Sequence, residues 1–325
     1  MTDGCVPMPR VAAVIVTYNR LAKLKTTIER TLALPFCSII VVNNASTDGT
    51  GPYLESLADP RLRIVHEPVN LGGAGGFAHG FENAARQTDC DWLLCYDDDA
   101  YPTPDALSSF AALAPGHDVA GVAAAVYFPD GRICAMNRPG MDVFRSPRTL
   151  WRAIRQKTGS VGIGDAAYAR TQPADIGFSS FVGLFVRCDL VRGRLGLPRR
   201  DLFIYRDDSL YTLSITQHGY RLLFAPAVRF VHDCTTPTGG RCVYTPLWKA
   251  YYVIRNDLPF FRALAGRYFY AILPLLILKW LLPTMQYTKP WLFLRVAALA
   301  ISDGLRGDFT RPHADILALT GPHAR

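Results

Sequence analysis

Several common patterns are missing from the 325-residue sequence. Its eight cysteines form no CxxC pair and show no zinc-type spacing, so we expect them to be reduced and mostly structural. No tract is of low complexity and half of the residues are hydrophobic, which indicates a globular chain. The N-terminus lacks the charged-then-apolar plan of a signal peptide, and we therefore expect the main domain to stay in the cytoplasm.

Long hydrophobic runs are scarce as well. Residues 268–283 read YFYAILPLLILKWLLP, and they are interrupted by Pro274 and Lys279. This stretch falls short of the roughly 20 apolar residues that a membrane-spanning helix needs, which favours a helix lying at a membrane surface. A second run, residues 291–301, repeats the pattern. Two helices packed on the protein core are the alternative.

Acidic residues are few in the C-terminal part of the chain. Residues 236–325 hold 11 Lys/Arg against 4 Asp/Glu, so nearly all of the formal net charge of +8 lies there. Because the same segment is apolar and aromatic, it favours an anionic membrane surface over nucleic acid as a partner. We expect one domain at residues 1–235 and a basic helical extension at 236–325, either membrane-associated or packed on that domain.

Glycine is absent from the loop after the first predicted strand. Residues 11–18 (VAAVIVTY) are a continuous apolar run, typical of a strand buried on both faces of a parallel sheet. Gly73, Gly75 and Ala78 satisfy the G-x-G-x-x-A dinucleotide fingerprint, but that fingerprint belongs after the first strand of its unit. A nicotinamide-dependent dehydrogenase is therefore disfavoured, although it stays an alternative.

Strands and helices alternate over the first 100 residues. Strands are predicted at residues 11–18, 38–44, 61–67 and 92–96, and helices at about 21–34, 50–58 and 74–87. Further along, strands are predicted at 121–128 and 176–186, a helix at about 207–217, and two short strands within 221–233. In open α/β sheets ligands bind outside the carboxyl ends of the strands, so the polar loops there form the candidate site.

Three consecutive aspartates, Asp97, Asp98 and Asp99, follow the fourth predicted strand. Carboxylates this close raise one another's pKa unless a cation or hydrogen-bond donors stabilise the charged forms. Asp97 and Asp99 flank one residue at a strand's carboxyl end, so both could bind one Mg²⁺ or Mn²⁺, which prefer oxygen ligands. Such a metal would hold a diphosphate and neutralise its leaving charge. A solvated loop or helix cap is the alternative.

Three other features could take part in the same chemistry. Residues 70–77 (NLGGAGGF) open a predicted helix, where glycines and the helix N-terminus favour a phosphate-bearing ligand. Asp207 and Asp208 lie where a strand meets a helix; they either cap that helix or supply a general base for an acceptor hydroxyl. His232 is either a structural histidine or a nitrogen ligand of the same metal.

Together these motifs resemble the inverting family-2 glycosyltransferases, which have the nucleotide-sugar-binding GT-A fold. VIVTYNR, VVNNASTDGT, NLGGAGGF, DDDA, FIYRDD, a late histidine and YYVIRND occur in the family's order over residues 10–260. The resemblance implies an α/β fold of GT-A type, a mostly parallel twisted sheet flanked by helices. NLGGAGGF with the triple aspartate is most similar to bacterial galactofuranosyltransferases, which use UDP-galactofuranose. Rhamnosyltransferases that use TDP-rhamnose are the second choice.

The resemblance also implies roles for single residues. Asp97, Asp99 and His232 would bind the metal, and Asp98 would lie near the donor sugar. Asp207 and Asp208 would form the catalytic acidic pair, with Asp208 as the base. The nucleobase pocket is lined by Thr17, Tyr18, Asn19, Arg20 and Asn43, and the ribose and diphosphate are approached by Asn70, Gly72 and Gly73. The implied enzyme needs Mg²⁺ or Mn²⁺ and takes a UDP-sugar. The apolar, basic C-terminal segment further suggests a lipid-linked or polysaccharide acceptor at the inner face of the cell membrane.

Two positions depart from the family's pattern. Many relatives have Asp-Asn where this chain has Asn43-Asn44, so an anionic acceptor for the base N–H group becomes a neutral amide oxygen. Leu210 stands where another acid usually follows the acidic pair. This second departure suggests an unusual acceptor or an inactive site, and a non-catalytic sugar-nucleotide-binding scaffold at the membrane remains an alternative.

Overall fold

The fold is described here from a computed structural model, over residues 8–87, 89–145, 148–149, 162–234 and 243–321. The strands in these ranges are β1 (Val11–Thr17), β2 (Ser38–Asn43), β3 (Leu62–His66), β4 (Trp92–Asp97), β5 (Ala100–Pro102), β6 (Val119–Tyr127), β7 (Ala174–Asp175), β8 (Leu184–Arg187) and β9 (Arg221–His232). The α-helices are α1 (Leu21–Leu32), α2 (Thr50–Glu55), α3 (Gly72–Gln87), α4 (Ala106–Leu113), α5 (Asp165–Tyr168), α6 (Cys188–Arg192), α7 (Asp207–Gln217), α8 (Trp248–Ala265), α9 (Phe269–Leu281), α10 (Pro290–Arg306) and α11 (His313–Thr320).

One mixed sheet forms the centre of the molecule. Its strands run in the order β3-β2-β1-β4-β8-β6-β9-β5, and β7 pairs with β9. The four strands at one end, β3, β2, β1 and β4, are parallel, as the alternation of strands and helices predicted. β8 is antiparallel to both β4 and β6, and β5 and β7 are antiparallel to β9. The parallel half therefore places several strand ends at one edge.

The continuous apolar run of β1 is explained by two cores, one on each face of the sheet. Ala13 and Ile15 belong to one buried cluster, whereas Ala12 and Val14 belong to the other. Since successive side chains of a strand point to opposite faces, a strand covered on both sides needs apolar residues at every position. All seven residues of β1 are buried.

Helix α3 packs unusually close to the sheet because of its glycines. A Cβ atom on Gly76 would lie 2.5 Å from Val16 Cγ1, and one on Gly80 would lie 2.3 Å from Val14 Cγ1. Those distances are too short for real atoms, so glycine is required at both positions for the helix to lie against β1. These two glycines of the NLGGAGGFAHG segment therefore serve helix–sheet packing, and the close approach fixes where α3 begins.

Three of the predicted strands differ from the observed ones. The predicted strand 176–186 is extended in the sheet only from Leu184 onward, as β8 (Leu184–Arg187). The two short strands predicted within 221–233 form a single strand, β9, which is bent by a shift in its pairing with β6. Pro226 had suggested a break between two strands. It lies at the irregularity, and a bulge of this kind accommodates proline while the strand continues.

The cysteine prediction is wrong for one pair. Cys90, which follows α3, and Cys188, which begins α6, form a disulfide across 98 positions of sequence. Nothing in the spacing could indicate it, because α3 and α6 are brought together only by the packing of the sheet. Cys37, Cys95 and Cys134 are thiols, as expected. Cys5 and Cys242 lie outside the described residues.

The C-terminal helices form a third hydrophobic cluster. α8 packs along α10, and α9 and α11 contact α8. The cluster also takes in Phe203, Ile204 and Tyr205, so these helices pack directly against the segment that precedes α7. The predicted division of the chain at residues 235 and 236 lies outside the described residues, and it stays a prediction.

Candidate active site

The aspartates and His232 meet because two strands pair in a fixed register. Asp97 ends β4, and β5 starts immediately after Asp99. β5 runs antiparallel to β9 with Ala100 opposite His232, and the Asp233 N–H group donates to the Asp99 carbonyl at 2.8 Å. This register carries His232 to the aspartates from 133 positions away.

Asp97, Asp99 and His232 form a cluster that can hold a metal ion. One ligand atom from each lies within 4.8 Å of the others. Burial, followed by the charge of Asp99, raises the pKa of Asp97 to about 6. Two carboxylates and one imidazole suit a divalent cation of the Mg²⁺ or Mn²⁺ class, so these residues fit the metal that the sequence predicted.

Asp99 is held in its charged form by two neighbours. Burial raises the pKa of Asp99, but the hydrogen bond and charge of His232 and the charge of Arg20 outweigh burial and lower it below the ordinary value. His232 Nε2 lies 3.0 Å from Asp99 Oδ1, and the Arg20 guanidinium pairs with Asp99 Oδ2. Burial lowers the pKa of His232, yet its hydrogen bonds to Asp99 and Cys134 prevail and raise it to about 10.

The other nitrogen of His232 is fixed by Asn137, a residue that no motif in the sequence singles out. Asn137 Nδ2 donates to Ser180 Oγ at 3.0 Å, which turns the amide oxygen toward the imidazole. His232 Nδ1 therefore donates to Asn137 Oδ1 at 2.7 Å, and Nε2 faces the aspartates. Both His232 and Asn137 are buried. Only the fold could reveal this partner, since it lies 95 positions away in a short 3₁₀ turn.

A second group of possible ligand atoms shares His232. The atoms of Cys134, His232 and Cys234 also lie within 4.8 Å of one another. Thiols favour softer metals than carboxylates do, so this set differs in chemistry from the aspartate cluster. Cys134 Sγ lies 3.1 Å from Asn137 Oδ1, to which it donates a hydrogen bond.

Asp98 is turned toward the end of β1. Its Oδ2 atom accepts hydrogen bonds from Thr17 Oγ1 at 2.8 Å and from the Tyr18 N–H group at 3.4 Å. Arg20 Nη1 lies 3.5 Å from Asp98 Oδ1. Burial raises the pKa of Asp98 to about 7. These contacts join the aspartate loop to the loop after β1, and the position of Asp98 near a donor sugar stays a prediction.

The predicted nucleobase residues lie together at the ends of β1 and β2. Tyr18 is exposed, and Asn19 has a positive φ of 52° with its Oδ1 atom accepting from the Thr47 N–H group at 2.7 Å. Asn43 Oδ1 accepts from the Ser46 N–H group at 3.1 Å, and Asn43 Nδ2 lies 3.1 Å from His66 Nδ1. Both ends of the Asn43 amide thus have partners around the turn after β2, which explains why asparagine suits this position. Its role toward a base remains a prediction.

Asn44 and Asn70 hold the start of α3. Asn44 Nδ2 donates to Asn70 Oδ1 at 3.0 Å and to the Gly72 carbonyl at 2.9 Å, while Asn70 Oδ1 accepts from the Gly72 N–H group at 2.8 Å. Gly72 has a φ of 71°, and a Cβ there would lie 2.0 Å from the Phe203 carbonyl oxygen. Gly73 faces open space, since nothing lies within 4 Å of its would-be Cβ. Of the two predicted glycines, Gly73 has room beside it for a ligand.

The acidic pair stands at the start of α7, close to the aspartate cluster. The charges of Asp97 and Asp208 interact and raise the pKa of Asp97, and the charge of Asp97 likewise raises that of Asp207. Burial, then the charge of Asp208, raises the pKa of Asp207 well above the ordinary value. Burial also raises the pKa of Asp208, but bonds from Ser209 and the charge of Arg206 oppose the shift. Neither aspartate is the helix N-cap, which is Arg206.

Leu210 has a structural reason to be apolar. It packs against a small buried cluster made of Leu213 of α7 with Phe260 and Leu264 of α8. A carboxylate in this surrounding would lose its hydration without a partner, which is unfavourable. The departure from the acidic pattern therefore coincides with the contact between α7 and the C-terminal helices.

One protein-family model matches this chain, and two curated proteins are similar to it in sequence. The model described as glycosyl transferase family 2 matches residues 12–174. Galactofuranosyltransferase GlfT2 of Mycolicibacterium smegmatis is 25% identical over 279 residues, covering 78% of this chain and 41% of the relative. Galactofuranosyltransferase GlfT1 of the same organism is 27% identical over 241 residues, covering 70% of this chain and 72% of the relative. This chain thus spans less than half the length of the first relative.

The fold is also found in a solved structure. The mannosyltransferase PcManGT from Pyrobaculum calidifontis, in complex with GDP-Man and Mn²⁺, has a TM-score of 0.52 and 21% identity. The similarity covers 96% of this chain and 79% of that chain. Together with the family match, it confirms the GT-A-like α/β fold with helices on both faces of the sheet.

Proposed function

The chain belongs to glycosyl transferase family 2, and from that premise we propose that it moves galactofuranose from UDP-galactofuranose to a hydroxyl of a lipid-linked or cell-surface glycan. Transfer inverts the configuration at the anomeric carbon. The observation that carries this proposal is the placement of the Asp207–Asp208 pair beside the cluster of Asp97, Asp99 and His232. One set of residues binds the leaving diphosphate, and the other faces the attacking hydroxyl.

We assign metal binding to Asp97, Asp99 and His232, with Mg²⁺ or Mn²⁺ as the ion. When bound, the ion supplies positive charge that stabilises the diphosphate as it leaves. Asn137 accepts a hydrogen bond from His232 Nδ1, so Nε2 is turned toward the cluster, where it would release its proton in order to bind the ion. Arg20, which pairs with Asp99, adds a second cation at the same edge.

We assign the role of general base to Asp208. Its Oδ1 atom accepts from the Ser209 N–H group at 2.5 Å and from Ser209 Oγ at 3.0 Å, which stabilise the ionised carboxylate. The Oδ2 atom then takes the proton of the acceptor hydroxyl. Burial and the charge of Asp208 raise the pKa of Asp207, so Asp207 holds its own proton more firmly than an ordinary aspartate does.

The donor is proposed from two agreeing observations. The NLGGAGGF segment and the triple aspartate resemble galactofuranosyltransferases, and the two curated relatives carry that name. TDP-rhamnose is the second candidate donor, because rhamnosyltransferases share much of the motif pattern.

Membrane association is proposed from the C-terminal helices. Large apolar side chains are exposed along α9 and the start of α10: Tyr270, Leu275, Leu278, Leu282, Met285 and Trp291. Lys279, Lys289 and Arg295 are interspersed with them. Apolar surface with lysine and arginine favours an anionic lipid surface. We therefore propose that the enzyme acts as a peripheral protein at the inner face of the membrane.

Replacing the proposed base gives the sharpest test. Asp208→Asn keeps the shape of the side chain but removes its basicity, so turnover should fall by about 10²- to 10⁴-fold, the usual contribution of a general base. UDP release from UDP-galactofuranose, with a panel of alkyl glycosides as acceptors, measures turnover, and calorimetry measures donor binding. Donor binding should stay close to that of the unaltered protein. Asp201→Asn is the matched control, since Asp201 is a surface aspartate paired with Arg199.

Two results would contradict the proposal. Unchanged turnover in Asp208→Asn would reject the base, and full turnover in excess chelator would reject the metal. Thermal shifts with UDP-sugars, TDP-sugars and nicotinamide dinucleotides, each with and without Mn²⁺, separate the candidate donors. Donor binding without transfer or hydrolysis would identify a non-catalytic scaffold instead.

A further inference from the structure

The segment just before the acidic pair has a strained backbone. Phe203, Tyr205 and Arg206 have φ values of 66°, 70° and 66°, although none of them is glycine. The Ile204 N–H group donates to the Leu202 carbonyl at 2.8 Å, which closes a tight γ-turn around Phe203. Each such residue is strained and persists only where the surrounding structure enforces it.

A single side chain of α8 lies at the centre of this segment. Asn256 Nδ2 is within hydrogen-bond distance of three carbonyl oxygens: Leu202 at 3.0 Å, Ile204 at 2.8 Å and Tyr205 at 3.0 Å. Its Oδ1 atom accepts from Arg255 Nε at 2.9 Å, which orients the amide so that both N–H groups face the segment. Asn256 is completely buried.

The two neighbours of Asn256 bind the same segment from either end. Arg255 Nη2 donates to the Leu202 carbonyl at 2.8 Å. Asp257 Oδ1 accepts from Arg206 Nε at 2.6 Å, and its Oδ2 atom accepts from Trp280 Nε1 at 3.1 Å. Both Arg255 and Asp257 are buried. Three consecutive residues of one helix thus fix the chain from Leu202 to Arg206, immediately before Asp207.

The same segment also touches the start of α3. The Phe203 carbonyl accepts from the Ala74 N–H group at 3.0 Å, and Gly72 packs directly against it. The Phe203 ring stacks on Tyr252 and His313, with centroids 5.0 and 4.4 Å apart. The segment therefore connects the glycine loop, the acidic pair and the C-terminal helices.

We propose that Asn256 is a positioning residue that holds residues 202–206 in their strained conformation, with Phe203, Tyr205 and Arg206 left-handed, and thereby aims Asp208 at the acceptor hydroxyl. The inference rests on the proposed function, because it takes Asp208 as the base. Arg255 orients the Asn256 amide, and Asp257 anchors Arg206. In this way the C-terminal helices complete the catalytic geometry of the domain that precedes them.

The test separates a positioning role from a general loss of stability. A second substitution relieves the strain of the backbone without restoring the hydrogen bonds of Asn256. Asn256→Asp keeps the size of the side chain but removes the N–H donors, so kcat should fall by about 10- to 100-fold, as a misplacement of about 1 Å can cause. The KM for the donor should change little. Tyr205→Gly added to this variant should recover much of the lost kcat, because glycine adopts a positive φ without strain. The assay is UDP release from UDP-galactofuranose with the alkyl glycoside panel.

The controls distinguish this proposal from the assignment of the base. Leu197→Gly in the Asn256→Asp background places a glycine in an exposed loop and should not restore kcat. Asp208→Asn is measured in parallel: if it keeps full turnover, the base assignment has failed. If Asp208→Asn is inactive while Asn256→Asp keeps its kcat, or if Tyr205→Gly gives no recovery, the positioning role is overturned.

A variant that does not fold still leaves a decisive comparison. If Asn256→Asp is insoluble but its combination with Tyr205→Gly folds and turns over, the strained segment is the element that Asn256 holds, as proposed. If neither folds, Asn256→Ser and Asp257→Asn provide milder losses: the first weakens the Asn256 contacts, and the second weakens the anchor of Arg206 in the same segment. A lowered kcat with unchanged donor KM in these two variants supports the proposal, and an unaltered kcat in both overturns it.

Discussion

Three adjacent aspartates take on different properties because each has different neighbours. Desolvation raises the pKa of the partly buried Asp97 to about 6 and that of the buried Asp98 to about 7. Asp99 is also buried, but the His232 imidazole and the Arg20 guanidinium lower its pKa. Only Asp99 therefore carries its full negative charge through mildly acidic pH. A cation at this position would stabilise the charged forms of the other two, which is the reason to expect a metal there.

The raised pKa of Asp208 predicts the pH dependence of turnover. The base must be ionised to accept a proton, and burial raises the pKa of Asp208. Turnover should therefore be full above that raised pKa and fall as the pH drops through it. The midpoint of the acidic limb of kcat should lie above about 3.9, the value for an ordinary aspartate. The measurement is kcat from pH 4 upward at saturating donor and Mn²⁺, about half a pH unit per step.

Saturating Mn²⁺ keeps this measurement specific to the base. Loss of charge on the proposed metal ligand Asp97 in acid weakens metal binding, which excess metal offsets, whereas protonation of Asp208 is not offset. Donor binding measured at each pH serves as the control. An acidic limb centred at or below the ordinary aspartate value would show that Asp208 with a raised pKa does not limit turnover.

Helix α3 uses its glycines for two distinct purposes. Gly76 and Gly80 let the helix lie against β1, and Gly72 lets its first turn lie against the Phe203 carbonyl. Gly73, between these contacts, faces open space. The resemblance implied that Gly72 and Gly73 approach the ribose and diphosphate; the structure leaves room for a ligand beside Gly73, whereas Gly72 packs against Phe203.

Alanine substitutions at adjacent positions test this division. Gly72→Ala places a Cβ 2.0 Å from the Phe203 oxygen on a backbone with a φ of 71°. It should lower the free energy of unfolding by at least about 1–3 kcal/mol. Gly73→Ala should leave stability nearly unchanged and, if the diphosphate approaches here, weaken donor binding. Urea unfolding and donor calorimetry on both variants provide the comparison. Equal losses of stability would contradict the assignment.

The C-terminal helices present two different surfaces. One helical run among the described residues, Trp248–Gln286, is long and apolar enough to cross a membrane by length and composition alone. Its first part, α8, is largely buried in the protein and carries the buried residues Arg255, Asn256 and Asp257. Its second part, α9, exposes leucines to solvent. The interfacial helix predicted for residues 268–283 corresponds to α9, and its membrane contact stays a prediction.

Vesicle sedimentation tests the membrane prediction. We expect more of the protein to pellet with vesicles that contain phosphatidylglycerol than with pure phosphatidylcholine, because lysine and arginine add electrostatic attraction of about 1 kcal/mol each. The double variant Leu275→Gln, Leu282→Gln should lower binding to both kinds of vesicle, whereas Lys289→Gln should lower binding to the anionic kind alone. Met8→Gln is the control, because Met8 is an exposed apolar residue near the N-terminus, remote in sequence from these helices. Equal binding of the unaltered protein to both kinds of vesicle would contradict the electrostatic part of the membrane prediction.

Local patterns in the sequence were sufficient for the parallel half of the fold. The strands and helices from Val11 to Asp97 begin and end within about three residues of their predicted bounds, because apolar runs and turn residues report local structure directly. They also placed Thr17, Asn43 and Asp97 at strand ends on one edge. The order of the motifs indicated the glycosyltransferase family, which the comparisons confirm. The roles of single residues stay predictions.

Only the tertiary structure could decide which distant residues complete the site. The partner of His232 on one side, Asn137, the disulfide of Cys90 with Cys188, and the bonds of Asn256 to residues 202–205 all join positions about 50 to 100 apart. Such contacts follow from strand order and helix packing, and they leave no period in the sequence. The amino-acid sequence thus determined the local elements and the kinds of chemical group at the sheet edge, whereas packing determined their partners, their charges and their direction.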